Sequence, residues 1–388
     1  MKGKDPAFKV GGRIEAPYFV DREEELVRLS YDVRTLSQSN VIIAPRRFGK
    51  TALLRAVESQ VGGELLVSYL SCLGMVSPAE FHDRIVEGVL RAFAARHGRG
   101  RRLLATWRDL LKKPVLGMRD ALAEIGGSIE GVGTIRLKFR TREVDPQGLM
   151  EAALTFPEGL AEEEDERVLV ILDEFQALVG LGERVFSLFK EAMESQKRVV
   201  YLFSGSSLRL LNEVFGREGK SPLYQMVGRV FLGEIEPRFV HRFYRERLRE
   251  VHGVEISDAA LARVTGYVGG IPYYFQKLGV GLEREIAIKG RRRVAAPDVD
   301  RAFAQLLDEL AGDFQERWET RFSDQQRSIL KVLAEGPMSV TEAARSLGVA
   351  PPNISYSLSR LTEAMILTKE ERRYRITDRV FAAWLRGV

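Results

Sequence analysis

The chain has 388 residues, 45% hydrophobic and 29% charged, too many for one compact core and enough for two or three domains of ordinary size. Its net charge of +5 and its arginine excess, 45 Arg to 14 Lys, suit nucleic-acid binding, genome composition or heat adaptation equally, so charge selects no partner. No apolar run approaches the roughly 18 residues that cross a bilayer, no signal-length apolar stretch follows the first residues, and one cysteine (Cys72) with four unclustered histidines (His82, His97, His241, His252) allows neither an internal disulfide nor an evident zinc site. The expectation is a soluble protein of the reducing cytoplasm with no membrane partner.

Short β-branched runs then alternate with amphipathic stretches. The runs Val41–Ile43, Leu65–Leu70, Val168–Leu172, Val199–Phe203 and Val230–Leu232 read as buried parallel strands. Helical patterns over Thr51–Gln60, Pro78–Arg96 and Gly182–Gln196 lie between them. That rhythm predicts an α/β fold, a parallel sheet covered by helices, with its ligand at the carboxyl ends of the strands. A stretch at about 97–160 interrupts it and reads as an insertion: a basic loop from His97 to Arg102, then a hairpin-like alternation from Ser128 to Arg140 around Gly131 and Gly133.

The first strand runs into Ala44-Pro45-Arg46-Arg47-Phe48-Gly49-Lys50-Thr51, and Ala52 continues into a helix. This strand-loop-helix context is that of a P-loop, whose backbone N–H groups cradle phosphates at a positive helix end. Gly49 allows close approach of the backbone, Lys50 would neutralise β- and γ-phosphate oxygens, and Thr51 would bring its hydroxyl to Mg²⁺. Ala44 stands where Gly is commoner; a small residue suffices there if its φ is negative.

The run from Val168 to Leu172 ends in Asp173-Glu174. An apolar strand delivering two acids suits a Mg²⁺–water ligand, Asp173, and a general base, Glu174, that orients an attacking water. Val199–Phe203 ends in Ser204-Gly205-Ser206-Ser207, where Ser204, or alternatively Ser206, would hydrogen-bond the γ-phosphate or the water; an ordinary turn would carry the same residues. Arg229 suits an arginine finger given to a neighbouring subunit, which would imply a homo-oligomer on activation, or an ordinary surface arginine.

From Ser257 to about Gly312 the pattern is helical without a strand-like run, and Gly269-Gly270-Ile271-Pro272 breaks a helix. The last stretch reads helix, helix, turn, helix and a terminal β pair, with Gly348 and Pro351-Pro352 at the turn, the order of a winged helix-turn-helix. The expected domains are an ATPase core over 1–255, a helical lid over 256–320 and a winged helix over 321–388.

Taken together these residues resemble the archaeal-type STAND P-loop ATPases of the AAA+ superfamily. The resemblance rests on Phe19-Val20-Asp21-Arg22-Glu23, Pro45-Arg46-Arg47-Phe48-Gly49-Lys50-Thr51, Asp173-Glu174-Phe175-Gln176, Ser204 to Ser207, Gly228-Arg229, Gly269 to Tyr274 and Tyr374 to Leu385. It implies ATP or ADP with Mg²⁺, Phe19 and Val20 lining the adenine pocket with Arg22 beside them, and Pro272 bringing the lid onto the nucleotide.

Three functions follow as alternatives. One is an ATP-driven switch that repositions the winged helix for a protein effector. Another is a DNA-acting ATPase that reads duplex DNA through residues 338–375, with Pro352–Thr362 as recognition helix, Asn353, Ser355, Ser357 and Arg360 in the groove and Lys369, Arg372 and Arg373 on the wing. The last is a nucleotide-clamped module without turnover, against which Glu174 argues.

Overall fold

The computed structural model describes residues 5–12, 14–97, 122–126, 136–139, 146–182, 184–216 and 221–387. They form two compact units that do not follow the linear domain order: a sheet unit of Glu23–Ile43 and Leu53–Phe231, and a loop-and-lid unit of Met1–Arg22, Ala44–Ala52 and Leu232–Val388.

In the sheet unit, α1 (Glu23–Thr35) precedes β1 (Ser39–Ile43). Then come the body of α2 (Lys50–Val61), β2 (Leu66–Ser71) and α3 (Pro78–His97). A hairpin of β3 (Leu122–Gly126) and β4 (Arg136–Phe139) leads to α4 (Pro146–Glu163) and β5 (Val168–Asp173). After a 3-10 turn (Phe175–Leu181) follow α5 (Arg184–Ser195), β6 (Val199–Gly205), α6 (Leu208–Phe215) and β7 (Val227–Phe231). The strands order β2-β5-β6-β1-β7 and every pair is parallel, so all five carboxyl ends share one edge. The apolar runs dictate this arrangement: β5 is buried along its whole length, as a central parallel strand covered on both faces must be.

Three sequence expectations shift here. The predicted strand at Val230 begins three residues earlier, at Val227, which places Arg229 inside β7. The hairpin is present, but its first strand lies at 122–126, ahead of the predicted start at Ser128; Gly131, Gly133 and the basic stretch after His97 lie outside the described residues. The predicted insertion also ends too late. Residues from Pro146 onward form α4, which packs along α3 and buries Leu149, Met150, Leu154, Phe156 and Leu160, so this segment belongs to the core. Its Pro157 is buried within the helix, a residue type that argues for a break on sequence alone.

The loop-and-lid unit contains α7 (Pro237–His252), α8 (Asp258–Val268), α9 (Pro272–Lys289) and α10 (Ala296–Arg321). Against the expectation of no strand after Ser257, the two-residue strand β9 (Arg293–Val294) pairs in parallel with β8 (Glu255–Ile256), which lies just before that residue. The helix α10 continues past Gly312, because Leu310, Phe314 and Trp318 keep burying one face and outweigh the ~1 kcal/mol a helical glycine costs. The leading segment is clamped to this unit. Ala7 N–H donates to Glu283 at 2.8 Å, Arg247 donates to the carbonyl of Pro6 at 2.9 Å, and Gln276 donates to that of Tyr18 at 3.0 Å.

The winged helix has the predicted helix, helix, turn, helix and β pair, with a short strand β10 and a closing helix α14 added: α11 (Asp324–Ala334), β10 (Met338–Ser339), α12 (Val340–Ser346), α13 (Pro351–Glu363), β11 (Leu367–Glu370), β12 (Arg373–Ile376) and α14 (Arg379–Leu385), with the strands in order β10-β12-β11. Ser323 with Gln326 and Ser339 with Glu342 form capping boxes that start α11 and α12. Among the described residues no helix is long and apolar enough to cross a membrane.

Candidate active site

At the carboxyl edge of the sheet, β5 ends in Asp173, whose side chain is 5% exposed. Tyr69, on the neighbouring strand β2, donates its hydroxyl to Asp173 Oδ2 at 2.6 Å. Ser204, at the end of β6 on the other side, donates a short hydrogen bond to Oδ1. The parallel register makes this possible: Leu172 pairs with Phe203 and Ser71 with Asp173, so the three strands finish at one level. The buried Asp173 carboxylate is therefore oriented from both sides by hydroxyls. Burial, with the Asp173 carboxylate as second cause, pushes the Tyr69 phenol well above its ordinary range, so it stays a donor.

Glu174 follows in a left-handed conformation, φ 55° and ψ 43°. A non-glycine residue adopts this conformation only where its surroundings enforce it. The enforcing contacts come next in the chain. Phe175 is fully buried among Phe186, Phe189, Phe203 and Phe215, with ring centroids 4.4–5.7 Å away. Glu174 is thus pinned between a buried strand and an aromatic anchor. Its N–H donates to Asp173 Oδ1 at 3.0 Å and lies 3.3 Å from the Ser204 hydroxyl, while its carboxylate accepts from Ser206 at 2.7 Å and from Gln176.

Ser204 thus serves Asp173, and Ser206 holds Glu174. Arg229, also in the sheet unit, donates to the carbonyl of Phe215, a contact that a role in a neighbouring subunit would have to break.

In the loop-and-lid unit, the Ala44–Gly49 loop opens α2. Lys50 is 5% exposed, and its ammonium donates to the carbonyls of Ala44 at 2.9 Å and Pro45 at 3.1 Å. Gly49 has φ +88°, and a Cβ there would sit 3.6 Å from Cγ of Pro272. The lid helix α9 therefore begins against the loop, and the N–H of Tyr273 donates to the carbonyl of Arg47 at 3.3 Å. Pro272 owes this position to Gly270, where a Cβ would lie 1.8 Å from the carbonyl oxygen of Ile235, a clash that only glycine avoids.

Of the remaining predicted residues, Ala44 and Phe48 are buried, Arg46 and Thr51 exposed, and Pro45 and Ala52 half-buried. Phe19 and Val20 are half-buried, and Arg22 is buried with its guanidinium on the carbonyl of Gly233 at 2.5 Å.

Sequence reading missed Tyr69, Gln176, Tyr274 and Asp378. Arg47, itself in a left-handed backbone at φ 76°, donates to the Tyr274 hydroxyl, which in turn donates to Asp378 at 2.5 Å. Asp173-Glu174-Phe175-Gln176 contained a signal for Gln176, but nothing in the sequence marks Tyr69 as a neighbour of Asp173 before the strand order is known.

In the winged helix, Asn353 and Ser355 are exposed on α13, as a groove contact requires, and Arg360 is half-buried. Ser357 is not available for that role: it is buried and donates to Gln325 at 2.5 Å. Tyr356 is 73% exposed beside it and was not singled out. Lys369, Arg372 and Arg373 are exposed on the wing, with Arg373 donating to the carbonyl of Pro337 at 2.8 Å.

Residues 19–278 match a family described as an ATPase domain predominantly from Archaea. Residues 323–369 match bacterial regulatory proteins of the arsR family. No curated protein matches the chain. Among solved structures, a Walker-type ATPase of Pyrococcus abyssi is similar at TM-score 0.69 and 20% identity, covering 98% of this chain and 99% of that one. The ORC2 protein of Aeropyrum pernix, solved as ADPNP–ADP complexes, is similar at TM-score 0.55 and 15% identity, covering 98% of each. At such identities the likeness is one of fold alone.

Proposed function

Because the chain belongs to the family of ATPase domains predominantly from Archaea, we propose that it is a Mg²⁺-dependent ATPase whose nucleotide state sets its C-terminal winged helix. The observation that carries this reading is the Asp173–Glu174 pair, with one acid oriented by two hydroxyls and the next held in a left-handed conformation at the end of a buried strand. A module that only stores nucleotide has no need of a second carboxylate pinned in this way.

The oxygen donors fit a hard cation. Asp173 offers a carboxylate already fixed in direction and Thr51 an exposed hydroxyl, and Mg²⁺ takes one or two such groups together with phosphate oxygens. When bound, the ion supplies charge neutralisation on the phosphates. In the reaction, Glu174 accepts a proton from water as the water oxygen bonds to the γ-phosphorus. The bond from that phosphorus to the β–γ bridging oxygen breaks, giving ADP and inorganic phosphate. Lys50 exchanges its own-loop carbonyls for phosphate oxygens, and the loop N–H groups complete the cradle.

Duplex DNA as the output of the winged helix is a second reading, favoured by the exposed Asn353, Ser355 and Tyr356 on α13 and by the arsR-family match over 323–369. A protein effector and assembly into homo-oligomers, with Arg229 acting in a neighbouring subunit, belong to the first reading.

One experiment tests both: steady-state ATP hydrolysis with Mg²⁺ at fixed salt, with and without duplex DNA, for wild type and Glu174→Gln. A fall of about 10²–10⁴-fold in the variant is expected for loss of a general base. Equal rates in the two proteins would remove Glu174 from the chemistry. Stimulation by DNA supports the second reading, and indifference to DNA directs the search to protein partners.

A further inference from the structure

Arg47 sits in the phosphate loop, yet its guanidinium is committed elsewhere in the loop-and-lid unit. It lies 5.1 Å from the ring centroid of Tyr273, 5.0 Å from that of Tyr274 and 5.6 Å from that of Phe314. Its Nη1 donates to the Tyr274 hydroxyl and lies 3.4 Å from Asp378 Oδ2. The Tyr274 hydroxyl completes the triangle by donating to the same Oδ2 at 2.5 Å.

Asp378 belongs to the winged helix and has a second task there: its Oδ1 accepts the N–H of Phe381 at 3.0 Å, capping α14. One carboxylate therefore binds the start of a winged-helix helix with one oxygen and the phosphate-loop arginine with the other. Arg317 of α10 approaches the same Oδ2 at 3.8 Å, its guanidinium 4.8 Å from the Phe381 ring centroid. Burial opposes the charge on Arg47, and Tyr274 and Asp378 more than compensate, holding it above its ordinary range.

The consequence lies in the backbone. Arg47 holds φ 76°, a conformation with a cost for any residue that carries a Cβ. A side chain tied at its far end is one means of keeping that conformation, and the next two residues of the loop, Phe48 and Gly49, lead directly to Lys50.

We propose that Tyr274 and Asp378 are positioning residues for the nucleotide: by anchoring Arg47 they hold the phosphate loop in its binding shape, and so make nucleotide affinity depend on the seating of the winged helix. This rests on the reading of Ala44–Thr51 as a nucleotide site. By linkage the dependence runs both ways, so bound nucleotide must hold α14 more firmly in its place.

The test is calorimetric titration of ADP with Mg²⁺ into the full chain, for wild type, Tyr274→Phe and Asp378→Asn. Asparagine retains a capping oxygen for α14, and phenylalanine removes only a hydroxyl. Each variant is expected to bind ADP about tenfold more weakly, as loss of a charge-assisted bond predicts. ADP is expected to slow hydrogen exchange at the Phe381 and Ala382 amides in wild type and to do so less in Tyr274→Phe.

Tyr267→Phe serves as a control, because it removes a lid hydroxyl bonded to Asp300 without touching Arg47 or the winged helix. If the control weakens ADP as much as Tyr274→Phe does, general loosening accounts for the effect and the proposal falls. If wild type binds ADP and both single variants bind within about twofold of it, the proposal falls while the nucleotide site stands. If wild type binds no ADP, the nucleotide reading and the proposal fall together.

Discussion

The carboxyl edge of the sheet and the winged-helix end of the loop-and-lid unit each hold a largely buried aspartate, and they hold it by different chemistry. Asp173 is gripped by the hydroxyls of Tyr69 and Ser204. Asp378 is gripped by Tyr274 and by two guanidinium groups, of Arg47 and Arg317. A hydroxyl fixes a carboxylate in direction with a neutral donor, whereas a guanidinium fixes it with a charged one. The first arrangement suits an acid that must attract a cation, and the second an acid that must join parts of the structure. The identity of the partners, more than the presence of an acid, separates a working carboxylate from a structural one.

Substitutions can break this contrast in order of expected size. Asp173→Asn keeps one acceptor oxygen, enough for Tyr69 or Ser204 but not both, and removes the charge. It should raise the Mg²⁺ concentration needed for ATP to stabilise the protein by about 10–100-fold, the range found when outer partners of a metal are changed. A thermal-shift titration of Mg²⁺ at fixed ATP measures this, and an unchanged midpoint would make Asp173 a structural acid after all. Ser204→Ala should cost roughly 1–3 kcal/mol in urea unfolding, because it withdraws one donor from a buried carboxylate; a cost near zero would show that Tyr69 alone orients Asp173.

The smallest effect expected is none. Cys72 is buried, and burial first, then the Asp173 and Glu174 carboxylates, push its thiol above the ordinary range. A raised thiol carries little thiolate at pH 8, so an aromatic disulfide reagent should fail to label native protein on a timescale of minutes and should label it after unfolding. Prompt labelling of the native protein would mean that the edge beside Asp173 opens readily.

Much of the fold was legible because its cause is local. Short β-branched runs end in polar residues where the strands leave the core, and Gly49-Lys50-Thr51 and Asp173-Glu174 stand at two such ends. In the winged domain Gly348 and Pro351-Pro352 likewise mark the turn and the start of α13. What escaped the sequence depends on contacts between distant segments. Tyr69 and Asp173 are brought together by the β2-β5 pairing, and Arg47 and Asp378 by the way the loop-and-lid unit folds on itself. Ser357 looked like a groove contact because α13 has small polar residues on more than one side, and only its bond to Gln325 shows which side turns inward. Gly312 shows the limit of a local signal: it lies inside α10, where the apolar stripe runs past it.

That uninterrupted α10 has a mechanical meaning. It spans 26 residues, about 39 Å at 1.5 Å per residue. A break at Gly312 would have made two short rods joined by a pivot, free to turn separately. One stiff rod behaves as a lever instead: a tilt of about 5° at one end carries the other end roughly 3 Å for that length. Phe314 and Arg317, which border the Arg47 cluster, lie near its far end, only a few residues before the winged helix begins. Small rotations at the start of α10 therefore arrive at this cluster as displacements comparable to the length of a hydrogen bond.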